Sequence, residues 1–165
     1  SYILSILNSK LIKSYFLSKY SDGKQLFPKI KGFQLKELPI KVADKQTQEP
    51  LIEKAEQMLS LNKNLLEVSD KFQRTLQRNL KIETLPKKFQ NWYLLSYNEF
   101  LKELSKKKVK LSLEDEGRLE DFFISESKKA LEIKDSIDKT DKEIDQMVYK
   151  LYGLTKEEIE IVENS

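Results

Sequence analysis

The chain has 165 residues, enough for one domain or for a small domain with an extended helical element, and its four glycines and four prolines favour long helices. The absence of cysteine and histidine excludes disulfide scaffolds, thiolate metal sites, Ser-His-Asp and Cys-His catalysis, and almost every zinc or non-haem iron site. The net charge of +3 hides an asymmetry, because residues 1–45 hold nine lysines and three acids, residues 81–111 hold eight lysines and three acids, and residues 112–165 hold eight basic and sixteen acidic residues.

This distribution of charge is typical of a polyanion-facing part attached to an acidic, solvated arm, and a charge-rich surface without a polyanionic partner is the alternative. No apolar run approaches the ~18–20 residues of a membrane span, and no secretory signal pattern is present. We therefore expect a soluble, cytoplasmic protein without a membrane partner. The chain begins at Ser1 on an apolar helical pattern without an initiator Met, from which we expect a C-terminal piece of a larger protein.

The first 45 residues predict a helix followed by irregular structure. Apolar residues over 2–20 recur at helical spacing in a wide stripe, which predicts one helix buried against a sheet or several helices. Pro28, Gly32 and Pro39 exclude a continuous helix over residues 25–44. There we expect a short strand near Leu26–Ile30, a helical turn around Phe33–Leu38 and an extended exit at Leu38–Val42. The lysines of this region, interleaved with phenylalanines, are the best candidates for phosphate contacts, and a solvated loop with ordinary surface lysines is the alternative.

A long helix is predicted from about Glu49 to Leu80, with Pro50 in its first turn, where the missing N–H donor costs least. Its apolar residues follow a seven-residue repeat: Leu51, Met58, Leu61, Leu65, Val68 and Phe72. Residues 81–111 break into short pieces around Pro86 and an aromatic group at Trp92 and Tyr93, for which a core position is favoured over base stacking. Ser96 with Glu99 forms a capping box that starts a further helix.

Ser112 with Asp115 predicts the start of a final long helix that ends at Tyr152, before Gly153. Its apolar seam also recurs every seven residues: Phe123, Ala130, Ile137, Ile144 and Leu151. Such a seam requires a partner helix, and we expect the helix over 49–80, running antiparallel. A homodimer through the long helices is the alternative. Thr155 with Glu158 predicts a capping box and a short last helix.

No catalytic or phosphate-cradling motif is present in the sequence. Asp138, Asp141 and Asp145 share one face of the final helix, and with lysines among them a solvated charged face is favoured over a cation site. Glu132-Ile133-Lys134 has the E-x-K spacing of a nuclease core, but lies in the middle of a helix. No glycine-rich phosphate loop and no adenine-flipping tetrad occurs. The chain is therefore not expected to be an enzyme.

Four stretches carry a family resemblance: Ile6–Phe16, Phe27–Ile40, Gln46–Leu59 and the tail Ile137–Ile159. The first three resemble the end of the target-recognition domain in TaqI-like and type IIG restriction-modification methyltransferases, and are similar to type I specificity subunits. The tail resembles the C-terminus of the type IIG group. The resemblance implies a non-catalytic DNA-specificity segment, with duplex DNA as partner. It also implies an upstream methylase domain of the same polypeptide that uses S-adenosylmethionine to modify adenine, with or without a nuclease; no cofactor is expected in this chain itself.

The fold expected from these observations is mainly α, a long antiparallel coiled-coil-like helix pair plus short helices, with a small α/β remnant of a target-recognition domain at the N-terminus. Residues 1–45 are assigned to that domain, and residues 46–165 to a helical spacer with a short capping helix. The lysines expected to contact DNA phosphates are Lys10, Lys13, Lys19, Lys24, Lys29, Lys31 and Lys36. Such contacts position a protein without specifying a sequence. A helical coiled-coil adaptor for protein–protein association is the alternative function.

Overall fold

Helices account for the regular structure of residues 1–20 and 31–165, the part of the chain that the computed structural model describes. The α-helices are α1 Tyr2–Asn8, α2 Lys10–Tyr20, α3 Gly32–Lys36, α4 Lys45–Leu80, α5 Tyr97–Ser105, α6 Leu113–Tyr152 and α7 Lys156–Glu163, with a 3₁₀ helix Lys87–Leu94 before α5. The described ranges contain no strand, which confirms the prediction of a mainly α fold. The strand expected near Leu26–Ile30 lies outside the described residues.

The chain divides into two compact units, and the two long helices run through both. The first unit comprises residues 1–59 and 138–165, and the second comprises residues 60–137. In each unit one half of α4 packs with the opposite half of α6, so the predicted antiparallel pairing within the chain is confirmed. The division into a target-recognition part and a spacer at residue 45 stays a prediction.

The core of the first unit combines the short N-terminal helices with the long ones. Its main cluster of buried apolar residues comprises Tyr2, Ile6, Ile12, Phe16, Leu38, Leu51, Ile144 and Val148. Polar contacts join the same elements, since the Ser5 hydroxyl donates to the Leu51 carbonyl at 3.0 Å and Lys54 forms an ion pair with Glu143 at 2.6 Å. The N-terminal helices are therefore anchored on α4 and α6 rather than packed only on each other.

Aromatic residues fill the core of the second unit. Phe72 of α4 stacks on Trp92 of the 3₁₀ helix, with ring centroids 3.5 Å apart, and lies 6.2 Å from Phe123 of α6. The indole N–H of Trp92 donates to the buried hydroxyl of Ser69 at 3.1 Å. Because Trp92 and Tyr93 are both buried, the prediction that they belong to the core is confirmed.

The two predicted seams are the buried faces of the long helices. Phe123, Ala130 and Ile144 of α6 are buried, and Ile137 and Leu151 between and after them are half-buried. On α4, the residues of the seven-residue repeat are likewise buried or half-buried. A seven-residue repeat thus located the contact faces of both helices correctly.

Both long helices end in the same hydrogen-bonded motif, but with different residues in the left-handed position. At the end of α6, Gly153 has φ +72° and the Leu154 N–H donates to the Tyr149 carbonyl at 3.1 Å. At the end of α4, Lys81 has φ +54° and the Ile82 N–H donates to the Gln77 carbonyl at 3.0 Å. This shared bond is the outer hydrogen bond of the Schellman arrangement, whose left-handed position glycine adopts without steric cost and lysine does not.

Two predicted helix boundaries are wrong. The single helix expected over residues 2–20 is interrupted at Ser9, which is extended and whose hydroxyl donates to the Ile6 carbonyl at 2.7 Å. Helix α4 begins at Lys45, so Pro50 lies inside it rather than in its first turn. The earlier start has a physical cause, because the Asp44 carboxylate accepts a hydrogen bond from the Thr47 N–H at 2.8 Å and so caps the helix.

The helix starts at Ser96, Ser112 and Thr155 were predicted at the right places, and the predicted capping boxes at Ser96 and Thr155 are both present. Ser96 accepts from the Glu99 N–H at 3.3 Å, and Thr155 accepts from the Glu158 N–H at 3.3 Å. Ser112 accepts from the Asp115 N–H at 3.1 Å. Each hydroxyl satisfies a backbone donor that has no partner inside its helix, which is why the spacing alone located these helix starts.

Candidate nucleic-acid interface

The lysines predicted to contact DNA do not form one stripe along α2. Lys10 and Lys19 are nine residues apart, which places them about 180° apart around the helix axis and ~13 Å apart along it. Lys10 forms an ion pair with Glu163 of α7. Lys19 forms one with Glu37 at 3.0 Å. These two lysines are therefore already engaged with carboxylates of the same unit.

The contact of Lys19 brings the end of α2 beside α3. Glu37, the residue after α3, also accepts a hydrogen bond from the Tyr20 hydroxyl at 2.6 Å. These hydrogen bonds lower the pKa of Glu37, and the bond to Glu37 raises the pKa of Lys19. Lys36, adjacent to Glu37, consequently lies close to the end of α2.

Lys13, Lys31 and Lys36 are the predicted lysines that remain available to a polyanion. All three are exposed, and none forms an ion pair with another residue in the ranges 1–20 and 31–165. Lys24 and Lys29 lie outside the described residues. The role of all seven lysines as phosphate contacts stays a prediction.

Lys41, which belongs to the same lysine-rich region, has a structural role in the first unit. Its ammonium group donates to the Leu151 carbonyl at 2.7 Å, and its N–H donates to the Tyr152 hydroxyl at 3.0 Å. That hydroxyl donates to the Pro39 carbonyl at 2.6 Å. A cation at the carbonyl end of α6 is also favourable for the helix dipole. Sequence spacing gave no sign of this contact across more than a hundred residues.

Asp145 differs from the solvated charged face predicted for the acids of α6. Its side chain is buried, at 2% exposure, and one carboxylate oxygen accepts from the Lys10 N–H at 2.8 Å, at the first turn of α2. The other carboxylate oxygen has no hydrogen-bond partner among the residues that the structure describes. Burial raises the pKa of Asp145, the Lys10 N–H opposes this, and the charges of Asp141 and Glu163 reinforce it. The interpretation of a solvated face is therefore wrong for this residue, because α2 covers it.

Asp145→Asn is expected to raise the free energy of unfolding at neutral pH by about 1 kcal/mol, because the amide oxygen keeps the bond to Lys10 while the buried charge is removed. A carboxyl whose pKa is raised by folding costs stability above its folded-state pKa, and that cost disappears as the pH falls below the unfolded value. The increase in the free energy of unfolding that Asp145→Asn produces should therefore become smaller as the pH is lowered.

Chemical denaturation of both proteins between neutral and acidic pH measures the effect of Asp145→Asn. A carboxylate such as Glu103, whose pKa is lowered by Lys106 and Lys88 and which has no contact with Asp145, acts in the opposite direction but equally in both proteins. The difference between the two proteins therefore isolates Asp145. A difference that stays constant with pH, or a destabilised variant at neutral pH, would contradict the prediction.

Neither a metal centre nor a membrane span is evident in the described part of the chain. Residues 1–20 and 31–165 contain no cluster of three metal-ligating side chains. No helix within these ranges combines the length and apolarity that crossing a bilayer requires. The features that remain are the exposed lysines and the helical framework that carries them.

The described residues thus define a mainly helical protein, in whose first unit a short basic segment packs on two antiparallel helices. The chain belongs to the family described as "Domain of unknown function (DUF8810)", whose model matches residues 44–148. Residues 1–40 match the TaqI-like C-terminal specificity domain, which confirms the resemblance predicted for that stretch. No curated protein and no solved structure matches the chain significantly.

Proposed function

We propose that this chain is the target-recognition segment of a type IIG restriction-modification DNA adenine methyltransferase, and that it is not itself catalytic. The match of residues 1–40 to the TaqI-like specificity domain carries the proposal, since it supports a role in restriction-modification target recognition. The partners in this proposal are duplex DNA and a methylase domain of the same polypeptide that uses S-adenosylmethionine. The proposal includes a cytoplasmic location.

The charges of the matched stretch fit contact with DNA phosphates. Lys13, Lys31 and Lys36 all lie within residues 1–40, are exposed and have no carboxylate partner among the described residues. Each phosphate that a lysine neutralises releases condensed counterions, so affinity falls as salt rises. These contacts hold a protein on the duplex, whereas the bases are read by other groups.

The triple variant Lys13→Gln, Lys31→Gln and Lys36→Gln tests the proposal. Binding of the whole chain to labelled duplex DNA is measured by fluorescence anisotropy between about 50 and 200 mM salt. The logarithm of the binding constant should fall linearly with the logarithm of the salt concentration, with a slope of about −0.9 per phosphate contact. The triple variant should reduce the magnitude of that slope by up to about 2.7 and weaken binding at every salt concentration.

The matched control replaces three exposed lysines outside residues 1–40, namely Lys71→Gln, Lys128→Gln and Lys156→Gln. It removes the same charge, so an equal loss in both triple variants would show that only net charge matters. Affinity that is absent at low salt, or independent of salt, would contradict DNA contact by this chain.

A helical adaptor remains the second candidate, and one observation favours it. Ile124 and Leu131 of α6 are exposed and seven residues apart, which is the spacing of a seam that could receive another helix. The homodimer through the long helices stays a prediction. The titration separates the candidates, because an adaptor without DNA contact shows no affinity for the duplex that depends on salt.

A further inference from the structure

A cavity of about 890 Å³ lies in the second unit, between the end of α4, the residues after α5 and the first turns of α6. This volume is within the range of small-molecule sites, roughly 300–1,000 Å³. None of its lining residues belongs to residues 1–40. The cavity is thus independent of the lysines proposed to contact DNA.

Five cationic side chains line this cavity: Lys81, Lys107, Lys108, Lys110 and Arg118. Two carboxylates, Glu83 and Asp115, line it as well, so the lining keeps an excess of positive charge. Arg118 is paired with Glu114, and Lys107 donates to the Thr84 hydroxyl at 3.1 Å. The other three lysines are exposed and form no ion pair with the described residues.

Two of these lysines occupy unusual backbone conformations. Lys81 has φ +54° and Lys108 has φ +58°, and they are the described non-glycine residues with positive φ. Glycine would adopt this conformation without steric cost, whereas a side chain crowds the backbone there. Backbone strain concentrates at functional sites, and here both strained positions place a cation at the same cavity.

The floor of the cavity is apolar. Leu76 and Leu119 are buried and Phe122 is half-buried, and all three line the cavity beneath the cationic rim. A bare anion would use the rim and leave this floor exposed to water. A purely apolar ligand would leave the lysines without a counter-charge. Both surfaces are used by a ligand that carries a phosphate and a planar, weakly polar ring system.

We propose that this cavity binds a nucleotide unit, with its phosphates at Lys81, Lys108 and Lys110 and its base against Leu76, Leu119 and Phe122. Lysine is a common phosphate ligand, and base rings stack on or pack against apolar and aromatic side chains. The unit can be a free nucleotide or part of a nucleic-acid strand, since both present the same chemistry. This site does not rest on the DNA recognition proposed for residues 1–40.

Isothermal titration calorimetry of the whole chain tests the site with four probes: ADP, adenosine, inorganic pyrophosphate and a short single-stranded oligonucleotide. ADP should bind saturably, and adenosine and pyrophosphate should each bind at least ~10-fold more weakly, because each lacks one half of the recognised group. The double variant Lys81→Gln and Lys110→Gln should weaken ADP binding at least ~10-fold. The control Lys71→Gln and Lys128→Gln should not change it.

Several outcomes would overturn the proposal. These are the absence of saturable binding by ADP and by the oligonucleotide, pyrophosphate binding as tight as that of ADP, or an ADP affinity that the Lys81 and Lys110 replacements leave unchanged. Oligonucleotide binding that these replacements weaken, without ADP binding, identifies the source as a strand. ADP binding that survives the Lys13, Lys31 and Lys36 replacements separates this site from the DNA contact proposed above.

Discussion

Phe72→Ala is expected to destabilise the second unit by about 3–5 kcal/mol. The Phe72 ring is 0% exposed and is stacked on Trp92, with an interplanar angle of 12°. It is also 5.3 Å from the Phe122 ring and 6.0 Å from the Phe100 ring. Alanine would leave a cavity among four elements that cannot all close in, so both the transfer free energy and the packing contacts are lost.

Urea denaturation followed by circular dichroism measures this loss. The control is Leu66→Ala on the same helix, where the side chain is 60% exposed and truncation should change the free energy of unfolding by no more than about 0.5 kcal/mol. A loss below about 1 kcal/mol for Phe72→Ala would contradict the aromatic core described for this unit.

Ile6→Ala is expected to destabilise the first unit by about 2–5 kcal/mol. The Ile6 side chain is 0% exposed and belongs to the core that α1 and α2 share with Leu51 of α4 and Val148 of α6. Helix α1 has only seven residues and little stability on its own, so it depends on this core contact. Loss of this anchor should therefore free the N-terminal helices from the long ones.

The control for Ile6→Ala is Ile3→Ala, which removes the same atoms from the same short helix at a side chain that is 54% exposed. Thermal and urea unfolding should place this control close to the unmodified chain. Equal losses for Ile3→Ala and Ile6→Ala would contradict the role of Ile6 in the core of the first unit, because only Ile6 is buried there and alanine favours the helix at both positions.

The core around Ile6 links the two stretches matched by family models. Ile6 and Phe16 lie within the TaqI-like match, whereas Leu51 and Ile144 lie within the DUF8810 match, and all four belong to one buried cluster. The candidate DNA-contacting segment therefore depends for its stability on the long helices. A change in that core should weaken DNA binding even though it touches none of the lysines.

Local signals in the sequence predicted most of the helical framework. A capping box such as Ser96 with Glu99 is set by neighbouring residues, so its spacing alone located the start of α5. The seven-residue repeat through Phe123 and Ala130 requires one buried face, and that face is buried. The predicted start of α4 is several residues late because it was placed from Pro50, whereas the helix is capped at Asp44.

Contacts between distant residues could not be predicted in the same way. The spacing of Asp145 along α6 predicts an acid exposed to solvent. It is buried only because the first turn of α2, which includes Lys10, packs over it in the folded chain. Lys41 lies in a lysine-rich segment and was grouped with the candidate DNA contacts. Its bond to the Leu151 carbonyl forms only when the end of α6 packs beside it. The cavity beside Lys81 and Lys110 likewise depends on three elements that meet only after folding.

The central claim, that residues 1–40 contact duplex DNA, is tested most directly by photochemical crosslinking of the whole chain to duplex DNA that carries iodinated uracil. Mass spectrometry of the crosslinked peptides should place them within residues 1–40, including peptides that contain Lys13, Lys31 or Lys36. Their yield should fall as salt rises. Crosslinks found only in residues 60–137, or none at low salt, would contradict the claim.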